Sequence, residues 1–331
     1  MALGQMGGKQ EEMFITWDEL PRSPGHPFYD RLQKELDQAG FDRFAEEKCA
    51  PYYAKGRRGR PSIPPGRYFR MHFVGYFEGI NSERGIEWKC SDSLALREFL
   101  KLKLVERVPD HSTLSTTRSR LPLETHKEVF GWVLKVLSEA GLVHGDRLGV
   151  DASTMEANAA LRGLVQRGSG DTYREMLENL AKASGIETPT TEQLIRLDRK
   201  REGKKLSNKE WESPVDADAR IAKLKDGRTH LAYKPEHAVD LDSGAIVAVR
   251  VHAADHGDTS TIGGTLEEAR RNLNQVVKVP LDEENRCEVI ADKGYHSREV
   301  LKALAAGPWQ SRIAEPERSG VNRWHGDKAA Q

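Results

Sequence analysis

Two aspartates stand where short apolar runs end. Asp151 closes Arg147-Leu148-Gly149-Val150-Asp151, and Asp292 closes Cys287-Glu288-Val289-Ile290-Ala291-Asp292. Both runs are strand-like, and an unpaired carboxylate inside a buried strand is costly. At a strand end it reaches solvent or an ion. If the two strands are parallel neighbours, the carboxylates lie side by side and offer hard oxygen ligands suited to Mg²⁺ or Mn²⁺. Metal ions roughly 3.5–4 Å apart activate an attacking oxygen and stabilise a leaving one in phosphoryl transfer. Asp is also common at strand ends and turns, so neither residue is diagnostic alone.

Other groups bear on the same chemistry. Lys293 and Tyr295, beside Asp292, are candidate contacts to a DNA phosphate, with local packing as the competing reading. His252 and His256, with Asp255 and Asp258, have ligand-like spacing. Gly257 and a preceding strand favour a polar turn instead, whose acids help orient the metal site. Lys55, Arg57, Arg58, Arg60, Arg67 and Arg70 form a basic run with no acidic residue, held extended by Pro61, Pro64 and Pro65. Such a run suits phosphate neutralisation, the largest sequence-independent term in DNA affinity, with a solvated basic loop as the competing reading.

The elements that must position these residues follow from periodicity. Residues 1–54 hold a polar start and one helix over 28–44, with Phe28, Leu32, Leu36 and Ala39 on one face. Residues 55–142 read as helical: a run after Pro64-Pro65, a break at residues 109–113 where Ser112 or Thr113 could cap the next helix, and a stripe of Val129, Val133, Val136 and Leu137. From residue 143 the period changes. The expected order is a strand ending at Asp151, a charged insertion over about 161–228 with a helix at 173–183, a hairpin of 232–241 and 245–252, a helix over 259–273 capped by Thr259 or Ser260, a strand ending at Asp292, and a helix over 297–304. Asp242-Ser243-Gly244 supplies the hairpin turn. This is a mixed α/β pattern. It fits a ribonuclease-H-like layout in which the first strand lies beside the fourth.

Composition bounds the rest. Lys plus Arg equals Asp plus Glu at 51 each, so net charge identifies no partner, and the 37% hydrophobic fraction is low. The start has no apolar core of a signal peptide, and no apolar run approaches the roughly 20 residues of a membrane span. Cys49, Cys90 and Cys287 are odd in number and scattered, which argues against a disulfide framework or a zinc knuckle. The expectation is a cytoplasmic protein, nucleoid-associated when on DNA, with no membrane partner.

Several segments, in order, resemble the DDE transposases of bacterial insertion sequences. Gly149-Val150-Asp151-Ala152-Ser153-Thr154 with Glu156-Ala157-Asn158-Ala159 looks like the segment of the family's first Asp, and Ala291-Asp292-Lys293-Gly294-Tyr295 like that of the second. His237-Ala238-Val239-Asp240-Leu241-Asp242-Ser243-Gly244-Ala245-Ile246 looks like its hairpin, and Ala253-Ala254-Asp255-His256-Gly257-Asp258 like the turn that follows. Gly59-Arg60-Pro61, Asn81-Ser82-Glu83-Arg84 and Pro109-Asp110-His111-Ser112-Thr113-Leu114 resemble its helical N-terminal domain.

The resemblance implies a helical DNA-binding domain at 55–142 and a ribonuclease-H-like catalytic domain at 143–331. It also implies Mg²⁺ or Mn²⁺ on Asp151 and Asp292, and a homo-oligomer acting on terminal inverted repeats and target DNA. The family completes its acidic triad with a Glu on a later helix. Here the segment from Trp309 reads as the loop before that helix, and Glu315 and Glu317 flank Pro316. The chain is therefore expected to be a partial catalytic domain, truncated before the third acid; the alternative is that another nearby acid, such as Asp258, takes its place. Three readings follow: a transposase, a cleavage-deficient fragment that binds element ends and regulates transposition, or a ribonuclease-H-like nuclease of another kind.

Overall fold

Apolar residues at helical spacing organise the first part of the chain. The computed structural model describes residues 27–54, 62–103, 105–201, 207–224 and 227–315, and the chain divides between Val133 and Leu134 into two compact units. The first holds α1 (Pro27–Gln38), α2 (Phe41–Cys49), α3 (Pro65–Phe77), α4 (Glu83–Asp92), α5 (Leu94–Phe99) and α6 (His111–Arg120); α7 (Leu123–Glu139) carries the chain across the division. Tyr29, Phe41, Tyr68, Phe69, Met71, Phe99 and Leu114 build the core of this unit.

Two local expectations are corrected there. The single helix over 28–44 is two helices, because Gly40 takes φ 71° between them, a left-handed conformation that glycine adopts without a Cβ penalty. Asp110, rather than Ser112 or Thr113, caps α6: its Oδ1 accepts the Thr113 N–H at 2.8 Å.

The second unit is a mixed sheet covered by helices. Its strands are β1 (Arg147–Ala152), β2 (Met155–Glu156), β5 (Arg220–Lys223), β6 (Thr229–Asp240), β7 (Ile246–Ala253), β8 (Cys287–Ala291) and β9 (Trp309–Ile313); β3 (Val165–Gln166) and β4 (Trp211–Glu212) form a separate pair. Across the sheet the order is β7-β6-β1-β8-β9. β6 runs antiparallel to β7 and β1, and β1, β8 and β9 run parallel. The first strand thus lies beside β8, as a ribonuclease-H-like layout requires. β2 and β5 extend the ladder at the start of β6.

β6 turns into β7 through residues 241–245, where Gly244 takes φ 76°. α10 (Asp258–Leu273) lies along β6 and β7, and α11 (Arg298–Ala305) packs on β9. Leu148, Val150, Ala238, Val247, Ile262, Leu266 and Val289 are buried between sheet and helices. Each of the valines, leucines and isoleucine among them contributes about 1.5–3 kcal/mol through burial. Within the charged insertion Leu177, Ala181 and Leu194 form one small core, while Leu164, Trp211 and Ala219 pack with Leu231 of β6. α8 (Tyr173–Ala183) and α9 (Thr191–Lys200) are both opened by capping boxes, Thr172 with Glu175 and Thr190 with Gln193. β9 corrects a further expectation: residues 309–313, read as a loop, are a parallel strand, and buried Trp309 begins it.

Candidate active site

The parallel ladder of β1 and β8 ends on the pair Val150–Ala291. Asp151 follows the first residue and Asp292 the second, so the two carboxylates stand at the same end of adjacent strands. Alternation explains why the chain tolerates them there: Leu148 and Val150 point into the core, Val289 is buried beside them, and the two acids fall at exposed positions. Asp151 Oδ1 accepts the Ala152 N–H at 2.8 Å. Asp292 Oδ1 accepts the Gly294 N–H at 2.8 Å and so opens a tight 3₁₀ turn, Lys293–Tyr295.

These acids fit a divalent cation. Both carboxylates face solvent, and no protein hydrogen bond is made by either Oδ2 among the described residues. Mg²⁺ commonly takes one or two protein carboxylates and fills its shell with water and phosphate oxygens. Among the described residues no group of three or more His, Cys, Asp or Glu side chains is arranged to hold a metal.

Around the pair lie residues that sequence reasoning left unassigned. His237 stands opposite Asp151 in the β1–β6 ladder, and Glu236 opposite Ala152. Glu236 is fully buried. Its Oε1 accepts Thr261 Oγ1 at 2.7 Å and Tyr295 Oη at 3.0 Å, and its Oε2 accepts Thr265 Oγ1. Lys234, also buried, donates to Thr261 Oγ1 at 3.0 Å and pairs with Asp258 Oδ1 at 2.5 Å. A Cβ placed on Gly294 would lie 2.8 Å from Asp258 Oδ2 and 2.9 Å from Asp292 Oδ1, so both carboxylates crowd the same glycine. Strand alternation held a signal for this network: Lys234 and Glu236 fall on the same face as buried Ala232 and Ala238.

The histidines of the nearby turn are not ligands of a cluster. His252 Nε2 meets Thr265 Oγ1 at 3.2 Å, and Asp255 Oδ2 accepts Asn208 Nδ2 at 3.0 Å. Burial, with the positive charges of Arg250, Lys234 and His256, lowers the His252 pKa against the opposing pull of Glu236. Behind the hairpin, Asp240 is fully buried. Burial opposes its charged form, but N–H donors from Gly145, Ser243, His144 and Asp242 outweigh it and lower its pKa.

The expected DNA contacts divide. Lys293 is exposed at the turn beside Asp292. Tyr295 is a correction: at 1% exposure its hydroxyl points inward to Glu236. Burial, then the charge and hydrogen bond of Glu236 and the charges of Asp258 and Asp151, raise its pKa and keep the phenol protonated. Arg70 is a second correction. Its guanidinium is buried in the helical unit, paired with Asp42, bonded to Gln33 Oε1 at 3.2 Å and lying over the Phe41 and Phe99 rings. Arg67 is the third. It donates to the Leu100 and Lys101 carbonyls at 3.0 Å each and to Glu106 at 2.6 Å, which secures the loop after α5. A count of basic residues overlooks helical direction, and both arginines sit on inward positions of α3. Lys55, Arg57, Arg58 and Arg60 lie outside the described residues, as does Glu317; Glu315 is exposed just past β9.

Comparison with known families matches residues 17–120 to a transposase domain and residues 183–326 to a transposase DDE domain. The second match contains β6 to β9 and Asp292, whereas Asp151 precedes it. No curated protein and no solved structure matches the chain.

Proposed function

The chain belongs to the DDE transposases of bacterial insertion sequences, and we propose that Asp151 and Asp292 are the metal-holding acids with which it cuts and joins DNA. The observation that carries this reading is the placement of two exposed carboxylates one step beyond the Val150–Ala291 pair. The substrate is a phosphodiester at an element end. Water attacks the phosphorus, the P–O3′ bond breaks, and the departing oxygen takes up the proton as a 3′-hydroxyl. That hydroxyl then attacks a target phosphodiester: its oxygen bonds to the target phosphorus, the target's own P–O3′ bond breaks, and the released target 3′-oxygen takes up the proton. A divalent ion, when bound, lowers the pKa of the attacking oxygen and neutralises charge on the leaving one.

The chain's own residues supply position. Asp151 is fixed at its strand end by the Ala152 N–H, and Asp292 by the Gly294 N–H. The two acids therefore define where the scissile phosphate must sit, and orientation of this kind accounts for a large part of such catalysis. Lys293, exposed beside Asp292, is placed to contact a neighbouring phosphate. DNA is the partner in this reading, Mg²⁺ or Mn²⁺ the cofactor, and the basic segment 55–60 a further phosphate contact.

The test uses the purified chain and a duplex carrying the terminal repeats that flank its own gene. The expected result is nicking at the element end that requires Mg²⁺ or Mn²⁺ and disappears in Asp151→Ala. End binding without cleavage at any metal concentration overturns the enzymatic reading and supports that of an end-binding regulator.

A further inference from the structure

Burying a carboxylate is costly unless every oxygen finds a donor. Glu236 is at 0% exposure, and its donors come from separate parts of the catalytic unit: Thr261 and Thr265 on α10, and Tyr295 in the turn after β8. On the next inward position of β6, Lys234 bridges Thr261 Oγ1 and Asp258 Oδ1. The network is thus anchored in β6 and grips both sides of Gly294, the glycine that Asp258 and Asp292 crowd. Tyr295 ends the 3₁₀ turn that Asp292 begins. Any rotation of that turn moves the Asp292 carboxylate and must also break the Tyr295–Glu236 bond.

We propose that Glu236 is a positioning residue for the metal site, which holds the Asp292 turn in its ligating orientation through the hydroxyl of Tyr295. The inference rests on the metal role of Asp292. Hydrogen bonds made to a ligating side chain orient it, and their loss typically weakens metal affinity about 10- to 100-fold; the Tyr295–Glu236 bond acts one step further out, on the turn whose Gly294 N–H holds Asp292. Lys234 acts in parallel by keeping Asp258 over the same turn.

The test measures Mn²⁺ binding to the full chain by the electron paramagnetic resonance signal of free Mn²⁺, without DNA or turnover. Thermal unfolding is followed alongside. Tyr295→Phe removes only the hydroxyl that Glu236 accepts, and Glu236→Gln keeps the shape while changing the acceptor. Each is expected to weaken Mn²⁺ binding at least about tenfold, and the double variant no further than the stronger single one, because both cut the same link. Tyr233→Phe is the control. It removes a phenol–carboxylate bond to Asp216 elsewhere on β6, and should alter stability but not Mn²⁺ affinity. Unchanged affinity in a folded Tyr295→Phe overturns the positioning role and leaves Glu236 as a folding element only. Mn²⁺ binding in the wild-type chain that is indifferent to Asp292→Ala overturns the metal reading itself, and the positioning role with it.

Discussion

Asp151 and Asp292 are neighbours across two parallel strands, one step past the pairing of Val150 with Ala291. Like charges on the ends of neighbouring strands repel, and solvent only partly screens them. Each is held by one backbone N–H, and the remaining oxygens face outward. An arrangement that concentrates negative charge at a sheet end gains when a cation binds there.

Gly294 is where this geometry tolerates least change. A methyl group there would meet the tips of the Asp258 and Asp292 side chains, not backbone. Those tips can move, so Gly294→Ala should alter stability by about 1 kcal/mol or less. Their movement is nevertheless what the site cannot accept, and metal affinity should fall about tenfold or more. Calorimetric titration with Mn²⁺, paired with a thermal melt, separates the two effects. A variant that binds metal normally shows that Asp292 need not hold its present orientation.

Much of the second unit was legible from sequence because apolar runs and turns coincide there. β1, the hairpin, α10, β8 and α11 all fall close to their expected places. β2 to β5 were not legible, because strands of two to four residues, three of them inside the charged insertion, have too few alternations to register. β9 was missed because Trp-Gln-Ser-Arg-Ile carries one large apolar residue at each end. The strand-end places of Asp151 and Asp292 could be read because each closes a short apolar run. Glu236 and Lys234 could not be read as a network, since only the fold brings α10 and the turn at Tyr295 to them.

Asp240 predicts that the second unit is acid-sensitive. Its carboxylate accepts backbone N–H groups of His144, Gly145, Asp242 and Ser243. Asp240→Ala leaves these donors without their acceptor and should cost roughly 3 kcal/mol or more. The folded-state pKa lies below the ordinary 3.8. The unfolded chain therefore takes up the proton first, and the stabilisation, fully present above pH 4, is lost as pH falls through the folded value. Denaturant titrations across acidic pH should show this slope in the wild type and a shallower one in Asp240→Asn.

The helical unit carries its own pH dependence in His72. Burial, reinforced by His126 and Arg118, lowers its pKa from 6.5 to about 4, and its buried Nε2 has no hydrogen-bond partner among the described residues. Folding then requires a neutral ring. Stability should decline as pH falls through 6.5 and continue to decline until about 4, by about 3 kcal/mol in total. His72→Gln should flatten this limb of the stability profile. An unchanged profile would assign the acid sensitivity elsewhere.

Arg67 and Arg70 predict a negative result in DNA binding. Both guanidiniums are engaged within the helical unit. Arg70→Gln leaves the Asp42 contact broken and should cost roughly 3 kcal/mol of stability. Neither Arg67→Gln nor Arg70→Gln should change the slope of log affinity against log salt, whereas Lys293→Gln should reduce it by about one. Fluorescence anisotropy over a salt series reads all three slopes.

The most direct test of the central claim exchanges one ligand atom type and asks which metal restores cleavage. Asp292→Cys replaces a hard oxygen by a thiolate, which disfavours Mg²⁺ relative to more thiophilic ions. If Asp292 holds the metal, this variant should lose nicking of the element end in Mg²⁺ and recover it in Mn²⁺, while the wild type works in both. Equal nicking by Asp292→Cys and the wild type in Mg²⁺ would contradict the assignment of Asp292 as a metal-holding acid.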